Sequence, residues 1–517
     1  MRTTASFLLL LATAWHAGLA QTATKPELAG ASAALQKITA ADLKGDLSFL
    51  ASDALQGRFT PSPGLEVAAE FIASRFRAAG LEPGGDTGYF QVAHMVERQL
   101  PKVATEMTVA TTNKDLKIAP DAIAMTQISR SAEINNAAVV SFSTPDVNAL
   151  SKTDISGKVV LTVVPDLRKL PEQQAMADYR RLRPFLRAVE ASRAVVGIAV
   201  SSSLMGAPGS RLLSADDAQQ TRTPIVNVAN AELLEMLEKP ESAAQIKTVS
   251  IHLPAPRDEA VNVNNVIGVL RGSDPRLRDT AVLLTAHYDH IGTLDTARGM
   301  ASPPKPNERG DRIYNGANDD GSGTVSVIAI AEALSRLRTH PKRSIVFMTF
   351  FGEERGELGS QFYGEHPVFP IAQTVADINL EQVGRTDSTN GKQVNTASLT
   401  GYDYSDITTY LEQAGRQTGI KLYKDPQASD AYFTRSDNDA LAEQGIPAHT
   451  LTVAFDYPDY HGLADTWDKV DYENMARVDR MIGLALINLA DARIPPKWNT
   501  ANPKTKPFLA AQKKNAP

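Results

Sequence analysis

Five short stretches of this 517-residue chain place histidine or carboxylate side chains beside apolar, strand-like runs. AVLLTA leads into His287 and Asp289. The loop IYNGANDDGSG carries Asp319 and Asp320 ahead of a helical run, and SIVFMTFFG leads into Glu353 and Glu354. ADINL leads into Glu381, and HTLTVAF leads into DYPDYHGLADT with Tyr460 and His461. Imidazole and carboxylate are donors that zinc takes, and two histidines with several carboxylates form a ligand inventory for a two-metal centre. Two divalent cations would balance three ligating carboxylates and one hydroxide. Without them the same carboxylates would crowd one cleft, which low-dielectric surroundings penalise by several kcal/mol per charge. Cobalt or manganese could replace zinc on such donors in vitro.

Taken singly, each residue has a plainer reading. Asp319 suits a helix N-cap before SGTVSVI, His461 a surface site, and Glu353 with Glu354 a solvated first helical turn. Those readings leave unexplained why all these positions follow strand-like runs in one half of the chain. Positioning them there requires a sheet. AVLLTAH, SIVFMTF, TVADINLEQV and PAHTLTVAF read as strands, with helices over SGTVSVIAIAEALSRLRTH, SDITTYLEQAGRQTGI and ENMARVDRMIGLALINLADAR. Continuous apolar strands alternating with helices predict an α/β sandwich whose sheet is buried on both faces. Such sheets bind ligands where strand C-terminal ends meet loops.

Upstream, ITAADLKGDLSFLASDALQGRF and LEVAAEFIASRFRAAGLEPGG have helical spacing. From about residue 115 the texture turns to short β-rich runs, AAVVSF, GKVVLTVV, VVGIAVS and PIVNVAN. The expected organisation is a main domain over 36–115 and 256–495, an inserted, mostly β module over 116–255, and a mobile tail over 496–517.

A net charge of −6 leaves no basic footprint, which argues against nucleic acid and anionic membrane as partners. MRTTASFLLLLATAWHAGLAQ has the arginine, apolar core and small residues of a secretory signal over 1–20, cleaved before Gln21, and is too short to span a membrane. The chain has no cysteine, so neither disulfides nor a lipidated cysteine anchor is expected. A periplasmic or secreted protein stabilised by core packing is the expectation; oligomeric state is left open.

AHYDHIG, YNGANDDGSG, GEERGELGS, INLEQVGR and YHGLADTWDKVD, with the leader LSFLASDALQGRFTPSPG, stand in an order that resembles the di-zinc exopeptidases of the aminopeptidase S and aminopeptidase Y type. That family, peptidase family M28, includes glutamate carboxypeptidases and the transferrin receptor. The resemblance implies a three-layer sandwich around a central, mostly parallel mixed sheet, and the β-rich insert resembles a protease-associated domain. It implies two zinc ions per chain, one on His287 and Glu381, the other on Glu354 and His461, with Asp319 bridging. It further implies that Asp289 orients His287 and that Glu353 is the general base toward a bridging water. Tyr460 would hydrogen-bond the developing oxyanion. Many aminopeptidases of the family carry aspartate where Glu381 stands; the extra methylene keeps the carboxylate. The Pro-rich insertion LDTARGMASPPKPNERGDRIY is expected to rim the cleft.

The expected activity is removal of N-terminal residues from peptides. The alternative is a carboxypeptidase or dipeptidase with Arg385 or Arg435 clamping a carboxylate. A non-catalytic binding protein on this scaffold is disfavoured because no ligand or base position is missing.

Overall fold

The computed structural model describes residues 26–101, 106–166, 170, 172–204, 209–296, 310–389 and 391–515. The expected secretory signal 1–20 and residues 297–309 of the Pro-rich insertion lie outside the described residues.

Four strands whose every residue is buried form the middle of the molecule: Ala448–Thr452, Thr374–Leu380, Ala281–His287 and Ser344–Phe350, Val375 alone being half-buried. They lie side by side in that order and run parallel. Strands packed on both faces have no use for polar alternation, so they read as unbroken apolar runs. Further strands extend the sheet on both sides: Thr396–Leu399 pairs antiparallel with Ala448–Thr452 and parallel with Lys421–Tyr423, and Arg257–Leu270, Phe90–Gln99 and Ser210–Ser214 follow one another antiparallel beyond Ser344–Phe350. The result is a 10-stranded mixed sheet among the described residues.

Helices cover both faces. Ala40–Leu50, Pro63–Ala78, Gly323–Ser335 and Tyr472–Asp491 share one apolar cluster with the sheet, in which Leu47, Ile72, Val325 and Ile482 are fully buried. Side-chain oxygens of Thr39, Ser62 and Asp471 cap the first, second and last of these by accepting from Asp42 N, Leu65 N and Asn474 N.

A second, mixed sheet of eight strands is built from residues between Met107 and Leu253 and has its own core around Val109, Leu161, Ile198 and Val249. Its first strand, Met107–Thr111, lies ahead of the texture change seen in sequence and pairs antiparallel with Asp115–Ile118. The segment is not a free appendage. Ser210–Ser214 leaves it to pair antiparallel with Phe90–Gln99 at the edge of the large sheet.

The tail corrects an expectation. Far from being mobile, it packs: Trp498 is 1% exposed, stacks on Phe508 with ring centroids 4.9 Å apart, and donates its indole N–H to Gly445 O. Phe508 lies on the helix Lys506–Lys514. Two isolated aromatic residues in a polar stretch suffice to anchor it because each buries a large apolar area. Among the described residues no helix is long and apolar enough to cross a membrane.

One buried group in this core works against stability. Asp479, on the long closing helix, is fully buried with neither carboxylate oxygen hydrogen-bonded, and burial pushes it up to about 7 despite Ser326 and Arg480 nearby. A carboxyl raised in the folded state favours folding below its unfolded value near 4 and penalises it as pH rises toward 7. Asp479→Asn should therefore stabilise the protein by about 1–3 kcal/mol at pH 8. In thermal unfolding the advantage should vanish toward pH 4; an equal gain at both pH values would contradict this.

Candidate metal centre

The parallel strands deliver their C-terminal ends to one edge. His287 is the last residue of its strand, Glu353 and Glu354 stand just past Phe350, Glu381 directly follows Leu380, and His461 lies on the loop beyond Thr452. Asp319 sits in an irregular turn, Ala317–Ser322, that feeds the helix Gly323–Ser335, and the Asp319–Asp320 peptide is cis. Gly352 and Gly356 have φ of 67° and 105°, a region open to glycine, and this lets the chain fold back at the paired glutamates. His461 and Gln382 adopt left-handed conformations without being glycine, at φ 50° and 53°, the kind of backbone strain that gathers at functional sites.

These loops bring the residues expected from sequence into one cluster. Asp319 is its middle: Oδ1 lies 3.4 Å from His287 Nε2, and Oδ2 lies 3.0 Å from His461 Nε2. Around His287 Nε2 stand Glu353 Oε2 at 3.9 Å and Glu381 Oε1 at 4.0 Å, while His461 Nε2 is 3.2 Å from Glu354 Oε2. His287 Nδ1 faces Asp289, 3.5 Å from Oδ1. Tyr460 stacks on His461 with centroids 4.1 Å apart.

The electrostatics follow from that packing. Burial opposes charge on every member, and the winners are set by neighbours. Glu353, Asp289 and Asp319 hold the His287 imidazolium well above the usual histidine range in spite of burial. Glu354 and Asp319 likewise raise His461 to about 11. In return the histidines outweigh burial to depress Asp319 and to hold Glu354 at about 2. Burial and neighbouring carboxylates push Glu353 well above the carboxylate range and Glu381 to about 7. Although 44% of Tyr460 is exposed, burial of its phenol and the nearby Asp319 and Glu354 raise it far enough to keep its proton. The chain alone thus neutralises the cluster with protons.

Metal ions fit the same positions. Asp319 Oδ2 and Glu354 Oε1 are buried without a hydrogen-bond partner, as are both ring nitrogens of His290. His290 Nδ1 lies 2.7 Å from Glu354 Oε1, close enough for an ion pair but not aligned as a hydrogen bond. One ligand atom from each of His290, Asp319 and Glu354 falls within 4.8 Å of the others. Donors packed together yet unable to satisfy one another are what a cation satisfies.

Sequence reasoning missed His290, Asp465 and Arg58. His290 was visible as the second histidine of AHYDHIG, three residues after the first. Asp465 accepts from Asn318 N, Asp319 N and the Tyr457 hydroxyl, fixing the turn that carries Asp319. Asp320 is such a pin too, accepting from Gly323 N and Gln382 N and so joining the Asp319 turn to the residue after Glu381. Arg58 is fully buried and donates to four carbonyls, Tyr288, Leu50, Asn315 and Gly316. Burial pushes it down to about 10, and Asp289, Asp465, Asp320 and Asp319 oppose that fall. It is the fixed counter-charge of the acidic edge.

The sequence profile of peptidase family M28 matches residues 265–486, a span that holds every residue of this cluster. Residues 265–486 are an M28 peptidase domain. Over 134 residues the chain is 35% identical to a probable zinc metalloprotease of Pyrenophora teres f. teres, covering 25% of each protein. Over 240 residues it is 24% identical to the vacuolar membrane protease of Lodderomyces elongisporus, covering 43% of this chain and 22% of that protein. The chain therefore spans about a fifth of the length of that larger relative. The aminopeptidase from Aneurinibacillus sp. strain AM-1 has a similar structure, with a TM-score of 0.58 at 17% identity over 91% of this chain and 97% of that one. At that identity the likeness speaks for the fold, and it includes the region outside the M28 domain.

Neighbouring carboxylates hold His287 and His461 above the usual histidine range, so a zinc ion taking up these imidazoles would displace their protons. Calorimetric titration at pH 7 in buffers of differing ionisation enthalpy should show release of more than one proton per chain. Affinity should fall as pH is lowered. Proton-neutral binding would show that these imidazoles are not ligands.

Proposed function

We propose that the protein is a zinc-dependent aminopeptidase that hydrolyses N-terminal residues from peptides. The observation that carries this is Glu353, a half-buried carboxyl whose Oε2 lies 3.9 Å from His287 Nε2 and which burial and neighbouring carboxylates raise well above its ordinary range. A general base works best when its pKa lies near the operating pH. On this reading His287 and Glu381 hold one zinc, His461 and Glu354 the other, and Asp319 lies between them, with His290 backing Glu354. When bound, zinc supplies Lewis-acid polarisation of the scissile carbonyl and eases loss of a proton from water. Glu353 takes that proton as the water oxygen adds to the carbonyl carbon, then hands it to the amine nitrogen as the C–N bond breaks. The Tyr460 phenol, which keeps its proton, donates to the oxyanion. Asp289 holds His287 in place.

Electrostatics favours the amino end of the substrate. Burial and the neighbours Asp437 and Asp439 raise Glu357 to about 8. A substrate ammonium relieves that crowding, and a carboxylate worsens it. The clamps considered from sequence are otherwise engaged. Arg385 is paired with Asp387 and Asp459, and the Arg435 guanidinium lies 4.5 Å over the Tyr432 ring.

Peptides blocked at one end or the other decide the direction. Zinc-loaded protein should release residues from peptides with a free amino terminus and leave N-acetylated ones intact; the reverse pattern would make it a carboxypeptidase. Glu353→Gln should keep its zinc and lose about 10²–10⁴-fold in kcat. Unchanged turnover would remove Glu353 from the role of base.

A further inference from the structure

Thr60, in the leader LQGRFTPSPG, supplies no ligand, yet it is fully buried against the centre. Its Oγ1 donates to Asp289 Oδ2 at 2.9 Å, and Glu353 N donates to the other oxygen, Oδ1, at 3.2 Å. The same Oδ1 lies 3.5 Å from His287 Nδ1, which is hydrogen-bonded to the Asp289 backbone carbonyl at 3.2 Å. Thr60 Cγ2 would stand 3.5 Å from a Cβ on Gly352, so its methyl packs where the chain turns into Glu353. The Thr60 carbonyl accepts from Arg355 Nη1 at 2.8 Å, and Arg355 Nη2 donates to Ser210 O, also at 2.8 Å. Ser210 opens the strand that the segment of the second sheet contributes to the large sheet.

We propose that Thr60 is a positioning residue for the reaction. Acting through Asp289, it fixes both the ring of His287 and the backbone from which Glu353 projects; acting through Arg355, it ties them to Ser210. The proposal rests on Glu353 serving as base. Asp289 is held at its two oxygens by different partners, so its carboxylate cannot rotate without breaking one hydrogen bond. Removing the Thr60 hydroxyl leaves Oδ2 buried without its donor, and the cost falls on the orientation of Asp289. A ligand histidine whose partner swings away holds metal less firmly, and a base whose backbone anchor shifts meets its proton at the wrong distance. The hydrogen bonds from Ser210 through Arg355, Thr60 and Asp289 to Glu353 also make the inserted segment part of the catalytic frame.

The test compares Thr60→Val, which keeps the shape and removes the donor, with Thr60→Ser, which keeps the donor, in the full chain. For the zinc-loaded proteins T60V should lower kcat about 10-fold with KM within about 2-fold, and lose zinc to a chelator about 10-fold faster. T60S should restore both values to within about 2-fold of wild type. If T60V does not fold, T60A against T60S makes the same comparison. T60V equal to wild type in both readouts would overturn the proposal, and so would T60S as impaired as T60V, which would assign the effect to the methyl group. If wild type cleaves no peptide, the peptidase reading fails, while the chelator rates still decide the role of Thr60.

Discussion

Charge neutralisation at the sheet edge governs the rest of the structure. Asp319, Glu353, Glu354 and Glu381 converge within a few ångströms of His287 and His461 at a partly buried edge of the sheet. Buried carboxylates are tolerated only when protons, cations or well-aimed donors answer them. Asp319 stands between the two histidines and is shared by both, so the halves of the site are joined through one side chain. Arg58 adds a permanent charge behind them, its guanidinium saturated by four carbonyls rather than spent on one carboxylate.

The fold answers this constraint from several directions. The four central strands, buried at every residue but Val375, set the spacing of the loops that carry the cluster. The leader contributes Arg58 and Thr60 from a part of the chain far from the ligands in sequence. Asp465 and Asp320 lock the turn that carries Asp319 to its neighbours. The second sheet enters through Ser210–Ser214, whose first residue reaches Arg355 beside the paired glutamates. What the sequence presents as separate regions becomes one frame around the proposed metal ligands.

Much of that frame was legible in the chain alone, for physical reasons. Strands buried on both faces announce themselves as unbroken apolar runs, so the positions that follow them, from His287 to His461, could be found by looking past each run. Contacts that depend on long-range geometry were not legible. Arg58 meets Tyr288 and Gly316 only after the chain has folded, and nothing in LQGRF distinguishes a carbonyl-saturated arginine from a surface one. His290 was overlooked because the histidine three residues before it already filled the expected role. Arg385 looked available as a carboxylate clamp because one of its partners, Asp459, lies 74 residues further along the chain and meets it only after folding. The tail read as mobile because its composition is polar, while Trp498 and Phe508, ten residues apart, find a shared apolar site.

The central claim is that Asp319 joins two metal sites. Anomalous diffraction from crystals of the zinc-loaded protein measures it most directly. The account predicts two zinc peaks per chain with Asp319 touching both, His287 and Glu381 at one, and His461 and Glu354 at the other. A single peak held by His290, Asp319 and Glu354, or two peaks that share no carboxylate, would contradict it.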